Sequence, residues 1–205
     1  MSQVEKNPQA VWDALKAGND RFVLHKEERP HQDSTRRIAM RSGQQPRAVV
    51  LSCSDSRVPV ELIFDVGLGD LFVIRTAGQI IDQAVLGSLE FAIEALEVDL
   101  VVVMGHESCG AVKATAAALY GGRVPQGFQR VLVEKVTPSI LEARSRGLNS
   151  ITDYERQNVI ATAEQLMTRV PQLRERLQDR RIGLAGLRYR LSDGKVENVS
   201  LHGLR

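Results

Sequence analysis

Four short stretches dominated by small and aliphatic residues restrict this chain more than any other feature: AVVLSC (48–53), LFVIR (71–75), VDLVVVMG (98–105) and RIGLAGL (181–187). None alternates polar with apolar positions. Each strand therefore needs cover on both faces, which is the pattern of a parallel sheet packed between helices. Helical patterns lie between the runs. They are AVLGSLEFAIEALE (84–97), the Ala-rich CGAVKATAAALY (109–120) ended by Gly121-Gly122, and a stretch from about Tyr154 to Gln178 broken at Pro171. This alternation predicts an α/β fold with a mostly parallel central sheet and flanking helices. KVENVSL (195–201) follows the turn signal Ser192-Asp193-Gly194 and is expected as an antiparallel edge strand, hairpinned to RIGLAGL. Ahead of the sheet, Val11, Leu15, Phe22 and Val23 recur at helical spacing between about Pro8 and Lys26. The Gly18-Asn19 pair interrupts them, so two short helices or one bent helix are expected. The charged segment Glu27 to Ser42, with Pro30, reads as a connector. One domain is expected, with residues 1–42 as an N-terminal helical arm and connector and 43–205 as the α/β core.

Composition narrows the function classes. A chain of 205 residues can bury a substantial core. Its net charge of +2 gives no pull toward polyanions. Seven arginines lie between Arg169 and Arg190 against only Glu175 and Asp179, with Tyr189 as the lone aromatic. That pattern reads as a solvated helix face and loop rather than a nucleic-acid surface. No run is long and apolar enough for a bilayer span. MSQVEKNPQAVWDALK has no basic head followed by an apolar core, so no signal peptide is expected and the cytoplasm is the expected location. The two cysteines, Cys53 and Cys109, are not expected to pair in a reducing compartment. Both stand at polar strand ends, where ligands or nucleophiles are found.

Open parallel sheets bind ligands at the carboxyl ends of their strands. Here one such end carries Cys53-Ser-Asp55-Ser-Arg57 and another carries His106-Glu-Ser-Cys109-Gly110. If those strands are neighbours, Cys53, His106 and Cys109 meet. His106 and Cys109 are expected on a first helical turn, where residues three apart share a face. Two thiolates and an imidazole make a soft tetrahedral set suited to zinc, with a fourth position for water or for Asp55. A closed structural site with Asp55 as permanent ligand and a cysteine nucleophile activated by His106 stay open on these residues alone. A phosphatase loop would want Arg where Pro59 stands, and Gly67-Leu-Gly69 precedes its strand rather than following it, so a dinucleotide site is discounted.

The pair CSDSRVP (53–59) and HESCGAV (106–112) resembles the β-class carbonic anhydrases, and HESCGAV with IRTAGQIID is most similar to the bacterial, plant-like subgroup. LKAGNDRF (15–22), GDLFVIRTAGQIID (69–82) and GLRYRLSDGKV (186–196) extend the resemblance over nearly the whole chain. It implies Zn²⁺ on Cys53, His106 and Cys109, with Asp55 either a fourth ligand in a closed state or held off by Arg57 in an open one. In the open state the implied reaction is reversible hydration of CO₂ to bicarbonate by zinc-bound hydroxide, gated by the Asp55–Arg57 dyad. Gln44 matches a substrate-contacting glutamine. Phe72, Ala77 and Phe91 match positions lining a narrow apolar pocket, some from a partner subunit, and Gly110 matches a glycine whose backbone nears the substrate. The resemblance implies a homodimer or homotetramer, with the amphipathic N-terminal segment packing across the interface, and neither nucleic acid nor membrane as partner. Hydrolysis of CS₂ or COS on the same zinc site, and a closed structural zinc protein, are the competing functions. Arg75 and Tyr189 match two members of an inhibitory bicarbonate site, but Val50 replaces its tryptophan, which speaks against that site here.

Overall fold

The computed structural model describes residues 7–205; the first six positions of the expected arm lie outside the described residues. In chain order the elements are α1 (Pro8–Val23), α2 (Ser34–Ala39), β1 (Ala48–Cys53), α3 (Val60–Ile63), β2 (Leu71–Thr76), α4 (Gln83–Glu94), β3 (Leu100–His106), α5 (Gly110–Leu119), α6 (Arg130–Ser145), α7 (Ile151–Arg169), α8 (Pro171–Gln178), β4 (Gly183–Tyr189) and β5 (Val196–His202). The five strands form one sheet in the order β2-β1-β3-β4-β5. All pairs are parallel except β4 with β5, which is antiparallel and puts β5 at the edge.

Both faces of the sheet are covered, as the aliphatic strands require. Val49 and Leu51 of β1 and Val101 and Val103 of β3 point into a core closed by α4, α7 and α8. The alternate residues Ala48, Val50, Leu100 and Val102 point into a second core closed by α1 and α3. A third apolar cluster lies beyond the strand ends, where Val112, Ala116, Val136, Ile140 and Tyr154 pack around Cys53 and Cys109. Local signals set the helix starts. The Asp82 side chain accepts from Val85 N at 2.8 Å, and Ser150 with Asp153 forms a reciprocal capping box.

Several elements differ from the sequence expectation. α1 runs unbroken through Gly18-Asn19. An added Cβ on Gly18 would lie 1.9 Å from the Phe64 carbonyl oxygen, so the glycine permits close packing and does not mark a break. Asn19 is buried, and its amide donates to the Ile63 and Gly194 carbonyls at 3.1 and 2.9 Å. The apolar stripe of α1, Val11, Trp12 and Leu15, packs on the chain's own sheet. The presumed connector holds α2, capped by Asp33, whose side chain accepts from Arg36 N at 2.9 Å. α6 contains Pro138, which reads as a breaker but is accommodated within the helix. The arginine-rich stretch is not simply a solvated face. Arg188 is 4% exposed and lies within β4, and Arg176 donates to the Ile93 carbonyl. A guanidinium can be buried when its head meets a carboxylate or carbonyl.

Trp12 is 1% exposed. Trp12→Ala should cost about 3–5 kcal/mol in urea unfolding of the purified protein; a loss below about 1 kcal/mol would show that α1 is not docked on this sheet.

Candidate metal centre

The strand order leaves a crevice at the carboxyl ends of β1 and β3, because the chain leaves β1 toward one side for β2 and returns to the other side for β3. Cys53 is the last residue of β1 and His106 the last of β3. Cys109 caps α5 three residues later, after Ser108 turns the chain with a positive φ of 61°. His106 is thus on the strand and not on a helical turn with Cys109. The two converge because the Glu107-Ser108 turn folds α5 back over the strand end. The ligand atoms of Cys53, His106 and Cys109 all lie within 4.8 Å of one another. Their exposures are 5%, 0% and 2%, so water does not compete for them.

The imidazole is oriented for ligation. Its Nδ1 lies 2.8 Å from the Glu107 carbonyl oxygen, which can only accept, so in the neutral ring Nδ1 carries the proton and Nε2 presents a bare lone pair. That Nε2 is buried without a hydrogen-bond partner. A buried polar atom left unmatched between two thiols fits a cation. The thiols agree. Each thiol shifts the other: the neighbouring Cys109 pulls Cys53 down, to about 4, and Cys53 pushes Cys109 up, so one of the two is readily deprotonated as a metal ligand must be. Burial alone would lower His106, but the neighbouring Cys53 thiolate outweighs it and raises it.

Asp55 borders this group without joining it. Its Oδ2 is 3.8 Å from His106 Nε2, while both carboxylate oxygens engage Arg57, Nε to Oδ1 at 2.9 Å and Nη2 to Oδ2 at 2.8 Å. The Arg57 side-chain hydrogen bonds hold Asp55 well below the usual carboxylate range. The carboxylate is oriented from the backbone as well. Arg57 N donates to Oδ1 at 3.0 Å, and Arg75 donates to the Cys53 and Asp55 carbonyls at 3.1 and 2.7 Å. Arg75, matched from sequence to an inhibitory site, is here the tie that shapes the loop between ligand and carboxylate. Val50 is buried in the α1 core and Tyr189 ends β4 opposite His106.

The remaining sequence-predicted positions are less concentrated. Gly110 opens α5 beside Cys109, and an added Cβ there would meet nothing within 4 Å. Ala77 is exposed in the turn after β2. Phe72 pairs in register with Val49, four residues back from Cys53, which places it roughly 13 Å along the strands from the cluster. Phe91 on α4, 48% exposed, has its ring centroid 6.0 Å from that of Phe72, and Gln44 is exposed before β1. Within one chain, these three are not gathered at the cluster.

The structure adds residues that the sequence reading passed over. Glu155 on α7 is 2% exposed; its Oε1 accepts from Cys109 N at 3.3 Å, and its Oε2 lies 2.7 Å from Arg188 Nη2. Glu107 is tied to the β4–β5 hairpin, its amide donating to Tyr189 O at 2.8 Å and its carboxylate accepting from Ser192 N at 3.0 Å. The only sequence signal was a polar series, Glu155, Asn158 and Thr162, at helical spacing. On most helices such a series faces water.

A family model described as carbonic anhydrase matches residues 48–196, which include both strand-end motifs. The chain is 51% identical over 191 residues to a carbonic anhydrase of Mycolicibacterium smegmatis, with 93% of each chain covered. It is 47% identical over 190 residues to carbonic anhydrase 2 of Mycobacterium tuberculosis, covering 93% of this chain and 92% of that one. The solved structure of the β-carbonic anhydrase CcaA superposes with a TM-score of 0.70 at 28% identity, covering 92% of this chain and 87% of that one.

The Glu155–Arg188 pair gives a stability prediction. Arg188→Met should cost about 3–5 kcal/mol in urea unfolding, because it leaves a buried carboxylate unpaired. Adding Glu155→Leu should recover part of that loss; a double variant no more stable than the single one would contradict the pairing.

Proposed function

We propose, from the premise that this chain belongs to the carbonic anhydrase family, that Cys53, His106 and Cys109 hold a zinc ion at which CO₂ is reversibly hydrated to bicarbonate, with Asp55 and Arg57 as the catalytic pair beside it. Reversible CO₂ hydration is the activity expected of the family. The assignment of the metal rests on one observation above the others: a buried His106 Nε2 without a hydrogen-bond partner, facing two thiols. Three such ligands leave one side of a tetrahedral ion open. When bound, the ion supplies a Lewis acid that acidifies water.

The protein's part is orientation and selection. An ionised carboxylate only accepts hydrogen bonds, so Asp55 at the open side favours a protonated oxygen there and rejects one without a proton. Arg57 occupies both carboxylate oxygens and keeps Asp55 from closing on the site itself. This arrangement supports the catalytic reading over a closed structural site, which would need Asp55 inward and would have no use for Arg57. Gly110 leaves space beside Cys109 where a substrate can approach backbone. Gln44, Phe72, Ala77 and Phe91 are assigned to the substrate pocket. Since Gln44, Phe72 and Phe91 of one chain are not gathered at its own cluster, a second copy brings the equivalent surface to the mouth of the site, in a homodimer or a pair of dimers. Exposed Phe91, Tyr120 and Phe128, at 48%, 58% and 97%, are available for such contacts. The cytoplasm, where both thiols stay reduced, is the assigned location. No helix among the described residues is long and apolar enough to cross a membrane.

Charge sets the pH dependence. Two thiolates formally neutralise Zn²⁺, whereas three imidazoles leave it dipositive, so water at this centre should be harder to deprotonate. CO₂ hydration measured by stopped flow should therefore rise from neutral to alkaline pH; a rate flat down to acid pH would contradict the donor set. Asp55 does not supply this rise. Its folded pKa is depressed below the ordinary 3.8, so its bond to Arg57 is fully present above that value and is lost only as pH falls through the depressed one. Asp55→Asn should retain stoichiometric zinc and lose roughly 100-fold or more in kcat/KM. Full activity in that variant would remove Asp55 from the catalytic pair.

A further inference from the structure

We propose that Asn158 is a positioning residue for the Cys53 thiolate, acting through Gly78; the inference rests on the metal-centre reading above. Gly78 N–H donates to Cys53 Sγ at 3.3 Å in a buried setting. Gly78 lies in the Ala77–Gln79 turn, where two successive residues are left-handed, Gly78 with φ 69° and Gln79 with φ 46°. Backbone of that kind persists when its surroundings hold it. On one side it is pressed against α5, since a Cβ on Gly78 would lie 2.7 Å from Ala111 Cβ. On the other, the Gly78 carbonyl accepts from Asn158 Nδ2 at 3.2 Å.

Asn158 is itself fixed. It is 5% exposed on α7, and its Oδ1 lies 3.1 Å from the hydroxyl of Ser139, 3% exposed on α6. The Gly78 carbonyl can only accept, so the amide must turn its NH₂ end toward the turn. The Ser139 hydroxyl shares its one proton between the Val136 carbonyl, at 2.8 Å, and Asn158 Oδ1, and from Asn158 a buried relay runs through the turn to the sulfur that ends β1. An N–H bond draws electron density from a thiolate and fixes the direction of its lone pairs. Outer partners of this kind set both ligand orientation and metal affinity. A residue that only satisfied a buried carbonyl would stabilise the fold and leave the sulfur unchanged, and this difference is measurable.

The test compares Asn158→Asp, which keeps the shape and removes the NH₂ donor, with Ser139→Ala, which removes the anchor behind it. The control is Thr162→Val, which deletes a buried hydroxyl donating to the Asn158 backbone carbonyl at 2.7 Å and leaves the Asn158 side-chain amide and its bond to Gly78 in place. Zinc affinity is read by chelator competition, and the thiolate-to-metal charge-transfer band is read on the cobalt(II)-loaded protein. Asn158→Asp should weaken zinc binding about 10–100-fold and shift the band. Ser139→Ala should move both in the same direction by less, and Thr162→Val should lower stability without moving either. Wild-type affinity and an unshifted band in Asn158→Asp and Ser139→Ala would overturn the proposal, as would an equal loss in Thr162→Val. If Asn158→Asp does not fold, Ser139→Ala decides alone: unchanged affinity and band overturn the proposal. A wild-type chain that takes up neither zinc nor cobalt would instead overturn the metal-centre reading.

Discussion

The approach of Cys53, His106 and Cys109 to within 4.8 Å of one another, with water excluded, is the contact on which the rest of the structure depends. Two thiols and an imidazole at the mouth of an aliphatic sheet are costly unless each polar atom has a partner. Much of what surrounds them supplies those partners. The Glu107 carbonyl takes the Nδ1 proton, Gly78 N–H meets one sulfur, and Glu155 accepts the amide of the other cysteine. The atom left over, His106 Nε2, points to where the chemistry is.

Three arginines balance the anionic character that this donor set brings, each by a different route. Arg57 holds a carboxylate at the edge of the site, Arg75 holds the backbone between that carboxylate and Cys53, and Arg188 neutralises the buried Glu155. A planar guanidinium suits all three tasks, because it can address two acceptors at once and stays charged when buried. The result is a site whose first-line groups are short side chains on strand ends and turns, braced from behind by long side chains on the sheet and α7. Bracing from rigid elements is what keeps a carboxylate at a fixed distance from an imidazole.

Legibility in the sequence followed the physics of each element. The strands were readable because a run of aliphatic residues covered on both faces has few other stable arrangements, and the β4–β5 hairpin because its turn residues are specific. α2 was hidden by its charge, and the continuity of α1 by Gly18, whose purpose is contact with the Phe64 carbonyl. Breakers are read as local signals, but here tertiary packing overrode them. The strand placement of His106 was missed for a related reason: a three-residue spacing suggests a helical turn, and only the positive φ at Ser108 shows the tighter fold-back.

By itself the sequence determined the fold class and the donor set, since strand patterning and the two strand-end motifs are properties of short segments. The resemblance carried by those motifs also pointed to Asp55 and Arg57 as a pair, and the two meet across a turn, where Arg57 N donates to Asp55 Oδ1 and Val58 N to the Asp55 carbonyl. The pairing of Asp55 with the Arg57 fork, and the Arg75 bond to the backbone beside it, became visible only in three dimensions. So did the roles of Glu155, Asn158 and Arg188, polar residues whose pattern on the chain is that of a solvated surface. Burial reverses the meaning of such residues, and burial depends on which distant segments pack against them, which no short segment specifies.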